Sequence, residues 1–174
     1  MLLADTSHEA LSFPVIIQEE VKRMNLDLQN VKAELLLDEG EKLTAYIDTT
    51  GHNTVGVGHL ITNKDIIEIG DTISPSHKDR LLEQDIAEGI NNCRIIYKDF
   101  DNFPSSAQEA LLNMMFNMGI GNMASFHGFN DCVAKQDWGA VADYLRNNFK
   151  KWYAQVHDRA LRVEQKFIQA ARGI

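Results

Sequence analysis

A chain of 174 residues with 44% hydrophobic content is long enough for one domain, of one or two lobes, to close around its own core, so neither a metal nor a disulfide is needed to hold it. The formal net charge of −8 argues against nucleic acid as the main partner, because phosphate binding draws on clustered Lys and Arg. Cys93 and Cys132 form no CxxC pair and read as small core residues or idle thiols of a chain made in a reducing compartment, and the His residues make neither HExxH nor HxH, so no zinc site is expected.

The first segment, MLLADTSHEALSFPVIIQEEVKRM, has acidic residues ahead of its apolar run and no basic n-region, and no stretch approaches about 18 consecutive apolar residues. Neither a secretory signal nor an integral membrane segment is therefore expected. Its run Phe13-Pro14-Val15-Ile16-Ile17 still needs cover, from the rest of the chain or from a partner. A membrane-active amphipathic helix over residues 13–24 is the weaker alternative, since the segment has no broad basic face.

Leu28, Val31 and Leu35 recur at helical spacing and predict a helix ending at Gly40, a residue suited to a left-handed cap. Residues 43–61 switch to β-branched and Gly-rich sequence, with Asp48-Thr49-Thr50-Gly51 as a turn between KLTAYI and HNTVGVGHLI. This is the one convincing β region. Ser74-Pro75 then opens a long helix through Leu82, Ile86, Ile90, Cys93 and Tyr97, long enough to join two lobes. Pro104-Ser105-Ser106 starts the next, with Gln108 and Glu109 placed for overlapping capping boxes, and an apolar stripe of Ala107, Ala110, Leu111, Met114, Met115 and Met118 running to Gly119. The Met run reads as plastic core packing. Two further helices are expected, after Asp137 and after Asp158. The C-terminal third, with Arg146, Lys150, Lys151, Arg159, Arg162, Lys166 and Arg172, is locally basic.

The chemistry concentrates between the first helix and the β region. Glu39 falls at a helix C-terminus, four residues after Leu35, near an apolar face and the negative end of the helix dipole. Both effects favour its protonated form, which a general acid needs. Asp48 sits in a turn where solvent and amide donors favour the carboxylate. Two carboxyls in opposed environments suit the divided acid and base labour of glycoside hydrolysis. Gly56 and Gly58 weaken a strand and call for a bulge or a close approach to the backbone.

The pattern E-G-x-x-L-x-A-Y-x-D-x-x-G-x-x-T-x-G-x-G-H, unbroken from Glu39 to His59, resembles the active-site signature of the T4-type phage lysozymes, a glycoside hydrolase family. The resemblance continues through NMMFNMG at 113–119, Phe126, Trp138, Trp152-Tyr153 and D-R-A-L-R-V at 158–163. It implies a mainly helical α+β fold over residues 28–174, behind an N-terminal extension of residues 1–27. A small β-hairpin lobe (about 40–73) would be joined by a connecting helix (about 75–97) to a helical lobe (about 98–174).

The activity implied is that of a muramidase, cleaving the β-1,4 bond between N-acetylmuramic acid and N-acetylglucosamine in peptidoglycan. Glu39 would be the general acid, and Asp48 and Thr54 would hold the attacking water, giving inversion. Arg159 matches a cation beside the catalytic Glu, and Asp85 a carboxylate that pairs with His59. Leu60 and Phe116 match glycan contacts, while Phe129 and Tyr144 stand where the family has smaller polar side chains. No cofactor is required. The resemblance further implies a monomeric wall hydrolase, made in the host cytoplasm and acting on the cell wall in the periplasm. It would be either a phage endolysin released through a holin or a muramidase module whose delivery partner is a tail or secretion machine, for which residues 1–27 would be a docking segment. The competing class is a lysozyme-like fold kept as a non-catalytic glycan-binding or scaffold module. Retention of Glu39, Asp48 and Thr54 together favours the hydrolase.

Overall fold

The computed structural model describes Met24 and residues 26–174; the Phe13-to-Ile17 run lies outside the described residues. Helix α1 (Leu28–Glu39) begins where the Asp27 carboxylate accepts from the Asn30 amide at 3.0 Å, and it buries Val31 and Leu35 with Leu28 packed alongside. Gly40 has φ 72° but ψ −171°. The positive φ is one glycine tolerates, yet the extended ψ sends the chain directly into a strand and does not close the expected left-handed cap. Met24 and Leu26 are buried in the same core as α1, so the packed body starts ahead of that helix.

Strands β1 (Lys42–Ile47), β2 (Asn53–Gly56) and β3 (His59–Leu60) form an antiparallel sheet in that order. The KLTAYI strand and the Asp48 turn follow the sequence pattern, but HNTVGVGHLI is two strands, with a second turn at Val57-Gly58. Gly56 and Gly58, at φ 68° and 72°, make that turn possible. Tyr46 pairs with Thr54, and Thr54 with Leu60, after an irregularity between Lys42 and Tyr46.

Helix α2 (Pro75–Ile96) starts at Ser74, whose hydroxyl accepts from the His77 amide at 3.1 Å. Its neighbouring residues Leu81 and Leu82 lie about 100° apart around the axis and enter different cores. Leu81 joins Ala45, Val55 and Ile73 under the sheet, while Leu82, Ile86, Ile90 and Cys93 join the helical core. One helix therefore carries both lobes. Burial pushes the Cys93 thiol upward, so it stays a neutral core group.

Helix α3 (Ser105–Ser125) contains a break at Gly119, φ 73°, where the apolar stripe was expected to end. Its expected capping boxes do not form. The Gln108 amide donates to the Phe100 carbonyl at 2.8 Å, and Glu109 accepts from Asn30 and Lys166 through Oε2 and from the Ser105 hydroxyl through Oε1, so neither side chain turns back to a helix-start amide. The remaining helices are α4 (His127–Ala134), α5 (Trp138–Asn148), α6 (Lys150–Gln155) and α7 (His157–Arg172). α4 and α6 were not anticipated; each is shorter than the window of about 11–18 residues over which helical periodicity can be read. α5 starts directly after Asp137, whose carboxylate caps it, whereas α7 starts at His157, one residue ahead of the expected Asp158, which falls inside its first turn. Phe129, Phe149, Trp138 and Phe167 knit them together with ring centroids 5.6–6.3 Å apart.

The sheet is also pinned to α2 electrostatically. His59 Nδ1 lies 2.9 Å from both Asp85 oxygens, and Nε2 lies 3.5 Å from Asp65. Burial opposes the imidazolium, but Asp85 and Asp65 outweigh it and raise the His59 pKa. A raised folded value means stabilisation that is complete below the unfolded pKa of about 6.5 and fades as pH rises through the folded value. Asp85→Asn should therefore cost about 1.5–3 kcal/mol near pH 5.5, and urea unfolding should show the gap to wild type narrowing as pH is raised past 7. A gap that widens with pH would contradict this.

Candidate active site

Glu39 is the last residue of α1, and its side chain is 25% exposed. Arg159, from the first turn of α7 and itself buried, donates through Nη1 to Glu39 Oε1 at 2.6 Å. Its other donors go to α3: Nε to Asn113 Oδ1 at 2.7 Å and Nη2 to the Asn113 carbonyl at 3.0 Å. The opposite side of Glu39 faces the sheet. A β-carbon on Gly58 would sit 3.4 Å from Glu39 Cγ and 3.5 Å from Oε2. The glycine that the strand pattern left unexplained is thus where the β2–β3 turn comes against the acid.

Asp48 closes the β1–β2 turn around its own carboxylate. Oδ1 accepts from the Thr50 amide, the Thr50 hydroxyl and the His52 amide, each at 2.8 Å, and Oδ2 accepts the Thr50 hydroxyl at 3.0 Å. The His52 amide first, then the Thr50 hydroxyl, hold the carboxyl below its usual range, so it is ionised at neutral pH. Thr54 is buried on β2 and donates to the His52 carbonyl at 3.2 Å, which leaves its oxygen lone pairs as acceptors. No hydrogen bond joins Asp48 to Glu39; they belong to separate elements, the turn and the helix end.

The structure sorts the remaining expected residues. Asp85 meets His59 as described. Leu60 is 52% exposed on β3, and Phe116 is half-buried on α3. Phe129 is fully buried against Phe149 and Phe167, so it is a core residue and cannot present a face to a glycan. Tyr144 packs over Gly128, where a β-carbon would lie 2.4 Å from its hydroxyl, and lines a groove of about 1060 Å³ with Asn117, Phe149, Lys151 and Trp152. Trp152 is fixed there by its indole N–H donating to Asn117 at 2.7 Å.

The basic C-terminal third is largely neutralised from within. Arg146 pairs with Glu164, Arg159 with Glu39, Arg162 with Asp38, and Lys166 with Glu34 and Glu109. Lys150 and Lys151 are exposed beside the groove. Three residues of the Glu39 environment went unforeseen: Asp38, Asn113 and Arg162. Their signals were present as the Asp-Glu doublet at a helix end, the second Arg of D-R-A-L-R-V and the first Asn of NMMFNMG.

A helical body and a three-stranded lobe borne on one long helix, with an acidic helix end facing that lobe, make a lysozyme-like α+β fold, and the comparisons with known proteins give it the class of a lysozyme-type glycan hydrolase. The phage lysozyme family model matches residues 37–162. Among similar proteins, probable T4-type lysozyme 2 of Dictyostelium discoideum is 35% identical over 162 residues, 80% of this chain and 94% of that protein. Probable T4-type lysozyme 1 of the same organism is 30% identical over 161 residues, 78% of this chain and 92% of that protein. The pre-baseplate central spike protein Gp5 of Enterobacteria phage T4 is 31% identical over 153 residues, 75% of this chain but 26% of the spike protein. The chain belongs to the phage lysozyme family.

Gly58→Ala tests the contact between lobe and acid. At positive φ the added methyl costs about 1–2 kcal/mol of backbone strain, and it crowds Glu39 at the same time. Glycan hydrolysis should fall by about tenfold or more, with a small drop in melting temperature. Unchanged turnover would mean that Gly58 does not constrain the acid.

Proposed function

We propose that this protein is a muramidase that cleaves the β-1,4 bond between N-acetylmuramic acid and N-acetylglucosamine in peptidoglycan, with inversion. The observation that carries the reading is the division of the two carboxyls. Glu39 lies at a helix end between Arg159 and the Gly58 turn, and Asp48 is kept ionised by its own turn. Glu39 donates its proton to the glycosidic oxygen as the bond to the anomeric carbon breaks. A water held by Asp48 and the Thr54 oxygen attacks that carbon from the opposite face and gives its proton to Asp48. Leu60, Phe116 and Tyr144 are the proposed glycan contacts.

On purified peptidoglycan the wild-type chain should clear turbidity and release muramyl reducing ends. Glu39→Gln keeps the shape but has no proton to donate, so activity should fall by at least about 10³-fold without loss of folding; residual activity within tenfold would remove Glu39 from the acid role. Asp48→Asn and Thr54→Ala should lower kcat far more than they raise KM. Loss of glycan binding with turnover of bound substrate preserved would contradict their assignment to the water.

Within this reading the protein serves host lysis as an endolysin. The likeness to part of a spike protein supports a second role, a wall hydrolase delivered by a tail, with residues 1–27 as the docking segment. Complementation of a phage lacking its own endolysin separates the two: lysis at the normal time supports the first, and failure by an enzyme active on isolated wall supports the second.

A further inference from the structure

Asp38 is buried more deeply than the acid beside it. Its side chain is 3% exposed, against 25% for Glu39. Withdrawing a carboxylate that far from water costs several kcal/mol unless charges and donors surround it. Here they come from two helices. Arg162 of α7 donates to Oδ1, Asn113 of α3 donates to Oδ2 at 2.9 Å, and Arg159 Nε lies 3.5 Å from Oδ2. Asn113 is shared: its amide nitrogen serves Asp38, while its side-chain and main-chain oxygens both hold Arg159. All three guanidinium nitrogens of Arg159 are thereby engaged, Nε and Nη2 by Asn113 and Nη1 by Glu39.

Resting on the hydrolase assignment above, we propose that Asp38 is a positioning residue that, through Asn113 and Arg162, fixes where Arg159 stands against Glu39 and cancels the surplus positive charge there. Asp38 and Glu39 from α1 face Arg159 and Arg162 from α7, so the carboxylates and guanidiniums balance in number. From α3 comes the neutral Asn113, and from the β2–β3 turn the Gly58 backbone. Without Asp38, Arg159 loses one of its anchors and the two guanidiniums beside Glu39 keep one positive charge uncompensated, which favours the carboxylate over the acid form that catalysis uses. A buried charge kept only for stability would serve no such end, since an apolar substitute is often as stable.

The test uses the full chain on purified peptidoglycan, with kcat and KM referred to folded protein and followed across pH. Wild type must first release reducing ends; if it does not, the muramidase assignment fails and the role of Asp38 goes with it. Given an active wild type, Asp38→Asn should lower kcat by about tenfold or more with KM within about threefold, and should move the alkaline limb of the profile to lower pH. Arg162→Gln removes a positive charge instead, so its alkaline limb should move to higher pH while kcat also falls. If Asp38→Asn does not fold, Arg162→Gln carries the test, because that side chain is 34% exposed and Asp38 keeps Asn113 and Arg159 as partners. A kcat per folded molecule within about twofold of wild type, with the limb unmoved in the variants that fold, would overturn the proposal and leave Asp38 a purely structural group.

Discussion

The Arg159 guanidinium joins three elements that are distant in sequence. It leaves α7, takes both oxygens of Asn113 on α3, and ends on Glu39 at the tip of α1. A buried cation of this kind must find acceptors on every side, so its position dictates the meeting of the three helices as firmly as the apolar core does. The tip of α1 can then lie only where the sheet begins, because Gly40 turns straight into β1 and the β2–β3 turn returns against Glu39 through Gly58.

The second half of the site depends on the first through α2. That helix places Leu81 in the small core under the sheet and Leu82 in the large helical core, and Asp85 one turn on holds His59. The residues assigned to the water, Asp48 and Thr54, therefore ride on a lobe whose attachment is partly apolar and partly ionic. The arrangement gives each carboxyl its own surroundings: a helix end gripped by an arginine for one, a self-closed turn for the other. Two carboxyls held in such different surroundings are what the proposed division into acid and base requires.

Much of this was legible in the sequence because it is local. KLTAYI is β1, Ser74-Pro75 opens α2, Gly119 breaks α3, and the spacing from Glu39 to His59 marks the site. What stayed hidden is tertiary. The Ser105 and Ser106 boxes do not form, since Gln108 goes to Phe100 and Glu109 meets Asn30 and Lys166 while keeping only the Ser105 hydroxyl, and the basic third of the chain turns inward to meet Asp38, Glu109 and Glu164. Phe129 falls, by the resemblance, at a glycan-cleft position where the family has a smaller polar side chain, yet Phe149 and Phe167 close around it. No periodicity in one dimension reveals which charges will pair or which aromatic will be covered.

The central claim is that Glu39 and Asp48 act on opposite faces of the sugar, one as acid and the other through water. The anomeric configuration of the first product tests it most directly, because an inverting site needs carboxyls about 6.5–9.5 Å apart with water between them, whereas a retaining site brings them to about 5–5.5 Å and forms a glycosyl enzyme. Proton NMR of the initial reducing ends, recorded before mutarotation, should show the α-anomer. An initial β-anomer would contradict the account, even for a chain that proves to cleave peptidoglycan.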